Sequence, residues 1–328
     1  MSAAEIALWA RRHDLTRAEI RSALWKNRTL IKTSAMRQTL HLIPAQDFSI
    51  YINALKRSRM AALWNMMSRF GIAPKEVDAL NAAMMEALRD GPLPQRELTE
   101  HLKPRAGKNV RAWMSKTWSV FRPAIVEGLI CYGPEQGNEA VFVRVDQWLP
   151  KLKIIAESNA KQILLRRYLQ AYGPATLQDF SRWMGMPIPE AKEVWESCQD
   201  ELLEVDCEDG KKFILREDEG ELRDAPLPPH VLRLLPHFDV YLLGHADKNH
   251  LITAAHYKRV YRNQGWISPV IFLDGRIIGV WSYTRRAKRW LLEVEPFEQF
   301  SKMIQAKIAE EAASLGEFLE TAWEIKFN

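Results

Sequence analysis

One carboxylate, Asp239, lies between Phe238 and Val240 in an extended apolar segment. A carboxylate is costly to bury without a partner, so a specific role is expected for it. Asp239 can position a water molecule or a neighbouring basic group, or it can form a structural ion pair or cap. The sequence leaves both interpretations open, and Asp239 is a candidate catalytic residue in an auxiliary role.

Two further polar side chains, Thr39 and His41, alternate with Leu40 and Leu42 in a strand-like segment near the N-terminus. Successive side chains of a strand point to opposite faces. We therefore expect the leucines to face the core, while the hydroxyl and the imidazole share the other face with Arg37. That face can be a functional surface, or it can be a surface hairpin whose polar groups are incidental.

Neither the histidines nor the cysteines match a metal-binding template. Four histidines lie close together in the C-terminal part: His237, His245, His250 and His256. Their spacing fits no standard zinc pattern. The three cysteines are odd in number and form no CxxC pair, so we expect no metal, no cofactor and no disulfide framework. A reducing compartment follows, and the expected location is cytoplasmic and nucleoid-associated.

The charges of the chain are segregated along the sequence. Residues 1–59 and 225–292 each carry a net charge of +7, and residues 200–224 carry −7, within a total of +5. Such segregation suits a protein with one face toward a polyanion, although solvated faces explain it equally well. Four cations of the second basic segment lie between two strand-like runs: Arg285, Arg286, Lys288 and Arg289.

A repeated order of elements positions these side chains. The segments GPLPQREL (91–98) and GPATLQDF (173–180) each follow an apolar-periodic helix and open a second short helix. Each is followed by a third helix and a β-hairpin pattern. The first sixty residues repeat this order in shortened form, with a capping box at Thr16 and Glu19. Helix, turn, helix, longer helix and hairpin is the order of a winged helix-turn-helix.

The sequence therefore predicts an α+β fold, mainly helical, with three tandem winged helix-turn-helix modules. After the proline-rich stretch Ala225–His230 the pattern changes to strands, a hairpin on Asp274-Gly275 and a final helix over Glu298–Ala322. A separate C-terminal α+β domain is expected there. The predicted domains are winged helix 1 with a connecting helix (1–72), winged helix 2 (73–152), winged helix 3 (153–225) and the C-terminal domain (226–328).

Winged helices place one helix in the major groove of DNA and the hairpin on the flanking backbone. We therefore expect a monomeric protein whose partner is double-stranded DNA; the alternative is a scaffold whose modules bind protein. No apolar run approaches the ~18 residues that span a bilayer. No Walker loop, GxGxxG, GxSxG or HExxH motif indicates another enzyme class. The candidate DNA-binding residues are Arg17, Arg21, Arg37, His245, Lys248, Arg285, Arg286, Lys288 and Arg289.

Three ordered motifs resemble those of the winged-helix DNA glycosylase family typified by AlkZ and YcaQ. They are RQTLHLIPAQDF (Arg37–Phe48), LLPHFDVYLLGHADK (Leu234–Lys248) and LDGRIIGVWSYTRR (Leu273–Arg286). The resemblance implies a C-shaped array of three winged helices closed by a C-terminal domain, with DNA in the concave channel. It also implies excision of bulky alkylated or crosslinked bases, and it places Thr39 and His41 on the channel as auxiliary catalytic residues.

The chain departs from this family at one important place. In the family, a Gln-x-Gln or Gln-x-Asp pair orients the water that attacks the glycosidic carbon. This pair lies just before a segment that corresponds to Ala7–Arg12 of this sequence. No such pair occurs in the first thirty residues, and Gln38 replaces the family glycine. Two interpretations stay open: a longer protein that carries the pair, or a non-catalytic DNA-binding protein such as a regulator or lesion sensor. On this basis the chain is expected to bind duplex DNA but to release alkylated purines slowly or not at all.

Overall fold

The computed structural model describes residues 3–12, 14–116, 118–150, 152–225, 231–286 and 289–328. The protein is a mixed α+β fold, as the sequence predicts, with more helix than strand. It forms two compact units, each assembled from separated segments of the chain. Unit 1 comprises Met1–Arg21, Tyr172–Trp183 and Leu203–Asn328, and unit 2 comprises Ser22–Ala171 and Met184–Leu202.

Fourteen α-helices occur in the described residues. In chain order they are α1 (Ala3–Trp9), α2 (Arg17–Arg21), α3 (Phe48–Ser68), α4 (Pro74–Ala87), α5 (Gln95–Leu102), α6 (Lys108–Lys116), α7 (Arg122–Val126), α8 (Val145–Trp148), α9 (Glu157–Tyr172), α10 (Leu177–Met184), α11 (Ile188–Glu196), α12 (Glu219–Asp224), α13 (Tyr257–Val260) and α14 (Lys302–Leu319). One π-helical turn, Ser22–Lys26, continues α2.

Twelve strands occur in the same described part of the chain. They are β1 (Leu30–Ser34), β2 (Leu40–Pro44), β3 (Leu93–Pro94), β4 (Ile130–Tyr132), β5 (Val141–Arg144), β6 (Leu202–Cys207), β7 (Gly210–Leu215), β8 (Leu232–Leu235), β9 (Val270–Leu273), β10 (Arg276–Thr284), β11 (Trp290–Pro296) and β12 (Trp323–Phe327). They form two five-stranded sheets and one two-stranded hairpin, β6-β7.

The sheet of unit 2 has the strand order β2-β1-β4-β5-β3. Two hairpins that the sequence assigns to successive modules share this sheet, because β1 pairs antiparallel with both β2 and β4. Ile31, Ile43 and Val143 of the sheet pack with Phe48 and Ile52 of α3 in one apolar core. Each fully buried side chain of this size stabilises the fold by about 1.5–3 kcal/mol.

The sheet of unit 1 has the order β12-β11-β10-β9-β8. All its pairs are antiparallel except β11 with β12. Helix α14 packs against β8 and β12, and α1 packs against α14. At that contact the ring of Trp9 stacks on Phe318, with centroids 6.2 Å apart. The first described helix of the chain is therefore part of the same core as its last helix.

Local turn signals of the sequence are confirmed. Asp274 and Gly275 join β9 to β10 with φ angles of 47° and 86°, the left-handed pair that a two-residue hairpin loop requires. The capping box also forms, since Thr16 Oγ1 accepts from the Glu19 N–H and the Glu19 carboxylate accepts from the Thr16 N–H.

The final helix was predicted over too long a range, and one strand was not predicted. The final helix ends at Leu319, three residues before the predicted end, and the left-handed residue Glu320, with φ 55°, terminates it. A strand then follows that the sequence analysis missed, β12, parallel to β11. Asp47 precedes α3 without making a side-chain cap bond, and its carboxylate instead accepts from Arg167 at 2.9 Å.

The two compact units differ in outline from the four predicted domains, whose bounds stay a prediction. The proposed boundary at Ala225–His230 lies, from residue 226 onward, outside the described residues. Among the described residues, no helix is both long enough and apolar enough to cross a lipid bilayer.

Candidate nucleic-acid interface

A strained turn precedes β2 in unit 2. Arg37 and Gln38 both adopt left-handed backbone conformations, with φ angles of 54° and 60°. Such angles are rare for residues with a Cβ and cost about 1–3 kcal/mol each, so they persist only where the surrounding structure enforces them. Gln38 stands where the resembled family has glycine, so this turn keeps a glycine-like conformation without the glycine.

The faces of β2 are the reverse of those expected. His41 lies opposite Thr33 of β1, whose side chain is fully buried, and Ile43 lies opposite the buried Ile31. Directly paired residues share a face, so the imidazole is on the covered face. Leu40 is 53% exposed. The prediction that the leucines face the core was therefore wrong, whereas Thr39, just before the strand, is exposed as expected.

The environment of His41 keeps its ring neutral. Its Nδ1–H donates to the Thr39 carbonyl oxygen at 2.9 Å, which leaves Nε2 as an acceptor in the neutral tautomer. Burial, with smaller contributions from the charges of Arg37 and Arg59, lowers the pKa of His41 from 6.5 to about 4. A neutral imidazole with an accepting Nε2 can hold a water or a base N–H, but it is a weak proton acceptor.

This neutral ring has a consequence for stability against pH. A histidine with a lowered pKa in the folded state contributes stability that is complete above 6.5 and is lost as the pH falls toward the folded pKa. The free energy of unfolding of the protein should therefore fall between about pH 7.5 and pH 5. In the variant His41→Gln we expect this fall to be smaller by about 1–2 kcal/mol. Urea unfolding of both proteins at the two pH values measures it; an identical loss in the two proteins would contradict the assignment.

Arg59 of α3 binds the backbone at the end of β1, just before the turn. It is 5% exposed, and its Nη1 donates to the Ser34 carbonyl oxygen at 3.2 Å. Its Nη2 is buried with no hydrogen-bond partner among the described residues. Burial lowers the pKa of Arg59 to about 10. The guanidinium thus remains a cation, and it reinforces the positive potential of the turn.

Gly185 packs closely against the backbone of the same turn. A Cβ at this position would lie 2.9 Å from the Arg37 Cα and 3.1 Å from its backbone nitrogen, and the φ angle of Gly185 is +71°. Backbone atoms cannot yield as a flexible side chain can. Gly185 is therefore a packing requirement of the Arg37–Gln38 turn, and the sequence analysis missed it.

Gly185→Ala is expected to destabilise the protein by more than Gly265→Ala. Gly265 has a similar φ of +76° but open space around its Cβ position, so it reports the conformational strain alone, about 1 kcal/mol. The close contact with Arg37 should add about 1–3 kcal/mol for Gly185→Ala. Urea unfolding of the two variants makes the comparison, and equal losses would show that the contact is relieved without cost.

Asp239 forms a buried ion pair in unit 1. Arg11 donates to its two carboxylate oxygens at 2.8 and 3.0 Å, and the Tyr241 N–H donates to one of them at 2.9 Å. The Asp239 side chain has no exposed surface. Of the two interpretations left open by the sequence, the structural ion pair fits this geometry. The residue also lies in a turn after β8, not in a strand as expected.

Two of the candidate DNA-binding residues, His245 and Lys248, are interior. They are 9% and 8% exposed. His245 Nε2 donates to the Tyr172 carbonyl oxygen at 2.8 Å, and the Lys248 ammonium donates to the His245 carbonyl oxygen. Because their polar groups are turned toward the backbone of unit 1, we leave both out of the proposed interface.

The basic tip, residues 285–289 between β10 and β11, is exposed where the structure describes it. The Arg285 guanidinium lies over the Trp290 ring at 4.7 Å. Arg286 approaches Glu324 at 3.7 Å, in a pair that is about half exposed on each side. Lys288 lies outside the described residues. The described cations of the tip, Arg285, Arg286 and Arg289, are therefore exposed to solvent.

The two helix cations of the N-terminal segment differ in availability. Arg17 pairs with Glu5 at 3.3 Å and is one quarter exposed, whereas Arg21 is exposed at the end of α2. Arg37 is partly buried in its turn. No cluster of three or more histidine, cysteine or acidic side chains suited to a metal ion occurs in the described residues.

The comparison with known proteins identifies the family. The model of the DNA glycosylase AlkZ-like family matches residues 1–318. The chain belongs to the AlkZ-like DNA glycosylase family. The resemblance inferred from the three motifs is thereby confirmed.

One curated protein and one solved structure from Streptomyces sahachiroi are similar to this chain. The interstrand DNA cross-link repair glycosylase of Streptomyces sahachiroi is 33% identical over 300 residues, which cover 87% of this chain and 78% of that protein. The solved structure of Streptomyces sahachiroi DNA glycosylase AlkZ superposes with a TM-score of 0.83 at 28% identity, covering 99% of this chain and 89% of that one.

Proposed function

We propose that this protein binds duplex DNA and hydrolyses the N-glycosidic bond of bulky alkylated or crosslinked bases. The match to the AlkZ-like family over residues 1–318 is the observation that carries this proposal. It is supported by the similarity to an interstrand cross-link repair glycosylase. The exposed basic tip and the cationic turn at Arg37 give the protein surfaces suited to phosphate groups.

The chemistry requires little of the protein beyond positioning. An alkylated base carries positive charge and is already a good leaving group, so water attack at the sugar carbon needs orientation and stabilisation of the charge developing on the sugar. In this proposal Thr39 and the neutral His41 assist in holding water or the target base. Asp239 is not assigned such a role, because Arg11 and the Tyr241 N–H occupy its oxygens.

The finer architecture is part of the proposal. Three tandem winged-helix modules at 1–72, 73–152 and 153–225, followed by a domain at 226–328, would bring the helix carrying Arg17 and Arg21 to the DNA. The helix-rich fold and the hairpins β1-β2, β4-β5 and β6-β7 support this arrangement. We further propose that the protein acts as a monomer in the cytoplasm, associated with the nucleoid.

A non-catalytic DNA-binding protein, such as a regulator or lesion sensor, is the second candidate. One observation favours it: the two described candidates for water activation are poor bases as placed. Asp239 is ion-paired, and His41 has its pKa lowered to about 4. In that case the protein would recognise damaged DNA without releasing the base.

Base release separates the two candidates. The substrate is a duplex with one N7-alkylated guanine, and the released base is quantified by chromatography alongside binding of the same duplex. The absent Gln-x-Gln or Gln-x-Asp pair predicted slow release or none, but the match to a glycosylase family leads us to expect release by the protein. The rate should be at least about tenfold lower for Thr39→Val and His41→Ala, a loss of ~1.4 kcal/mol of transition-state stabilisation. His101→Ala, an exposed histidine of α5, is the matched control. Tight binding without release would support the non-catalytic candidate.

A further inference from the structure

Three aromatic rings form a small cluster on unit 1, after β8. His237 and Trp266 stack nearly parallel, with centroids 5.5 Å apart and planes inclined by 13°. Phe238 stands edge-on to Trp266 at 5.1 Å, with planes inclined by 80°. We call His237, Phe238 and Trp266 the aromatic platform. Burial lowers the pKa of His237, so its ring stays neutral and suited to stacking near neutral pH.

Two rings of the platform are both apolar and exposed. Phe238 is 40% exposed and Trp266 is 46% exposed. Isolated apolar side chains on a surface need no explanation, but two large rings in contact with each other and open to solvent suggest a binding surface. Their mutual contacts also fix the orientation of the rings before any ligand arrives, which lowers the entropy lost on binding.

Backbone strain holds Phe238 outward. Its φ angle is +57°, an outlier for a bulky residue. The adjacent Asp239 maintains this conformation, because Arg11 and the Tyr241 N–H bind its carboxylate. The buried ion pair thus lies next to the strained residue, and strain of this kind is typical of ligand-contacting positions.

The segment of the chain that leads to Trp266 is cationic. Residues 257–266, which end at Trp266, contain Lys258, Arg259 and Arg262 and no acidic residue. Lys258 and Arg262 are exposed and have no ion-pair partner among the described side chains, while Arg259 approaches Glu295 at 3.7 Å. An aromatic surface beside uncompensated cations matches a ligand that has a flat π-face and a phosphate backbone.

We propose that the aromatic platform stacks on an unpaired, extrahelical nucleobase of duplex DNA. The inference rests on the proposed DNA-binding function and names the part of the DNA that this surface contacts. Base stacking on an aromatic ring tolerates every base, and the exposed Lys258 and Arg262 supply contacts to the adjacent phosphates. The platform therefore favours distorted over fully paired DNA, whatever the sequence.

The test compares two DNA ligands and five proteins, one of which is a control. The ligands are a fully paired duplex and the same duplex with a single bulged 2-aminopurine, whose fluorescence reports stacking. The proteins are the full chain, Phe238→Asn, Trp266→Ala and the conservative Trp266→Tyr. Asn tolerates left-handed backbone, so the first variant removes the ring without adding strain. Phe327→Ala, which removes a ring of the same unit that is 37% exposed, is the control.

The expected result is a preference of the full chain for the bulged duplex, with quenching of 2-aminopurine. Phe238→Asn and Trp266→Ala should reduce this preference about fivefold or more, as loss of one stacked base predicts. They should leave affinity for the paired duplex unchanged, and Trp266→Tyr and Phe327→Ala should behave like the full chain.

Other outcomes would overturn the proposal in distinguishable ways. Equal affinity of the full chain for both duplexes would refute the platform and leave the DNA-binding function standing. If the variants lose affinity for both duplexes equally, the rings make a general contact with DNA and do not stack on an unpaired base. Absence of binding to either duplex at low salt would refute the proposed function itself, and the platform with it.

Discussion

Reversal of the basic tip to glutamate, at Arg285, Arg286, Lys288 and Arg289 together, is expected to lower affinity for any duplex DNA by about 100-fold or more. Four cations that we propose as phosphate contacts are lost and four repulsive charges are added, and phosphate contacts dominate affinity of this kind. The described cations of the tip are exposed, so the fold should be retained. Fluorescence anisotropy with two unrelated duplex sequences measures the loss, which should be similar for both.

A control with the same change in net charge separates the tip from general electrostatics. Four exposed cations already have a carboxylate partner within their own helix or turn, so they add little to the surface potential: Arg89, Lys103, Lys192 and Arg223. Their reversal to glutamate should cost far less affinity. If both quadruple variants lose affinity equally, the effect is one of net charge, and the tip has no special role.

Arg11→Ala should produce the largest loss of stability among single substitutions of surface cations. It leaves the Asp239 carboxylate, which has no exposed surface, without its charge partner. Removal of one member of a buried pair costs about 3–5 kcal/mol. Because the Arg11 side chain is 41% exposed, water can partly replace it, and we expect about 2–3 kcal/mol. Urea unfolding gives the value.

The neighbouring ion pair provides the matched control. Arg12 pairs with Asp14, but both side chains are largely exposed, at 66% and 73%. Exposed pairs contribute little, so Arg12→Ala should cost far less stability than Arg11→Ala. Addition of Asp239→Asn to Arg11→Ala should recover part of the loss, because the buried charge is then removed. A loss for Arg11→Ala no larger than that for Arg12→Ala would contradict the assignment.

Periodicity in the sequence predicted the elements better than their faces. The alternation of Thr39, Leu40, His41 and Leu42 correctly indicated a strand. The alternation showed that successive side chains point to opposite faces, but it did not show which face of β2 is buried. The buried face is the one that β2 shares with Thr33 and Ile31 of β1. The leucine-rich side is therefore the more exposed one at the start of β2.

Long-range partners were beyond the reach of the sequence. Arg11 and Asp239 are separated by 228 residues, and no local pattern pairs them. The contact of Gly185 with Arg37 is likewise a product of packing. Strand β12 could have been found, because Trp323, Ile325 and Phe327 alternate with charged residues. Family motifs, in contrast, are carried by residues near one another in sequence, and they gave the family correctly.

The salt dependence of duplex binding tests the central claim, that this protein is built to act on DNA. With an undamaged duplex, the logarithm of the association constant should fall linearly with the logarithm of salt concentration between about 50 and 200 mM. The slope should correspond to several released counterions and should become shallower in the tip variant. An isotherm insensitive to salt over that range, or no binding at its lower end, would contradict the account.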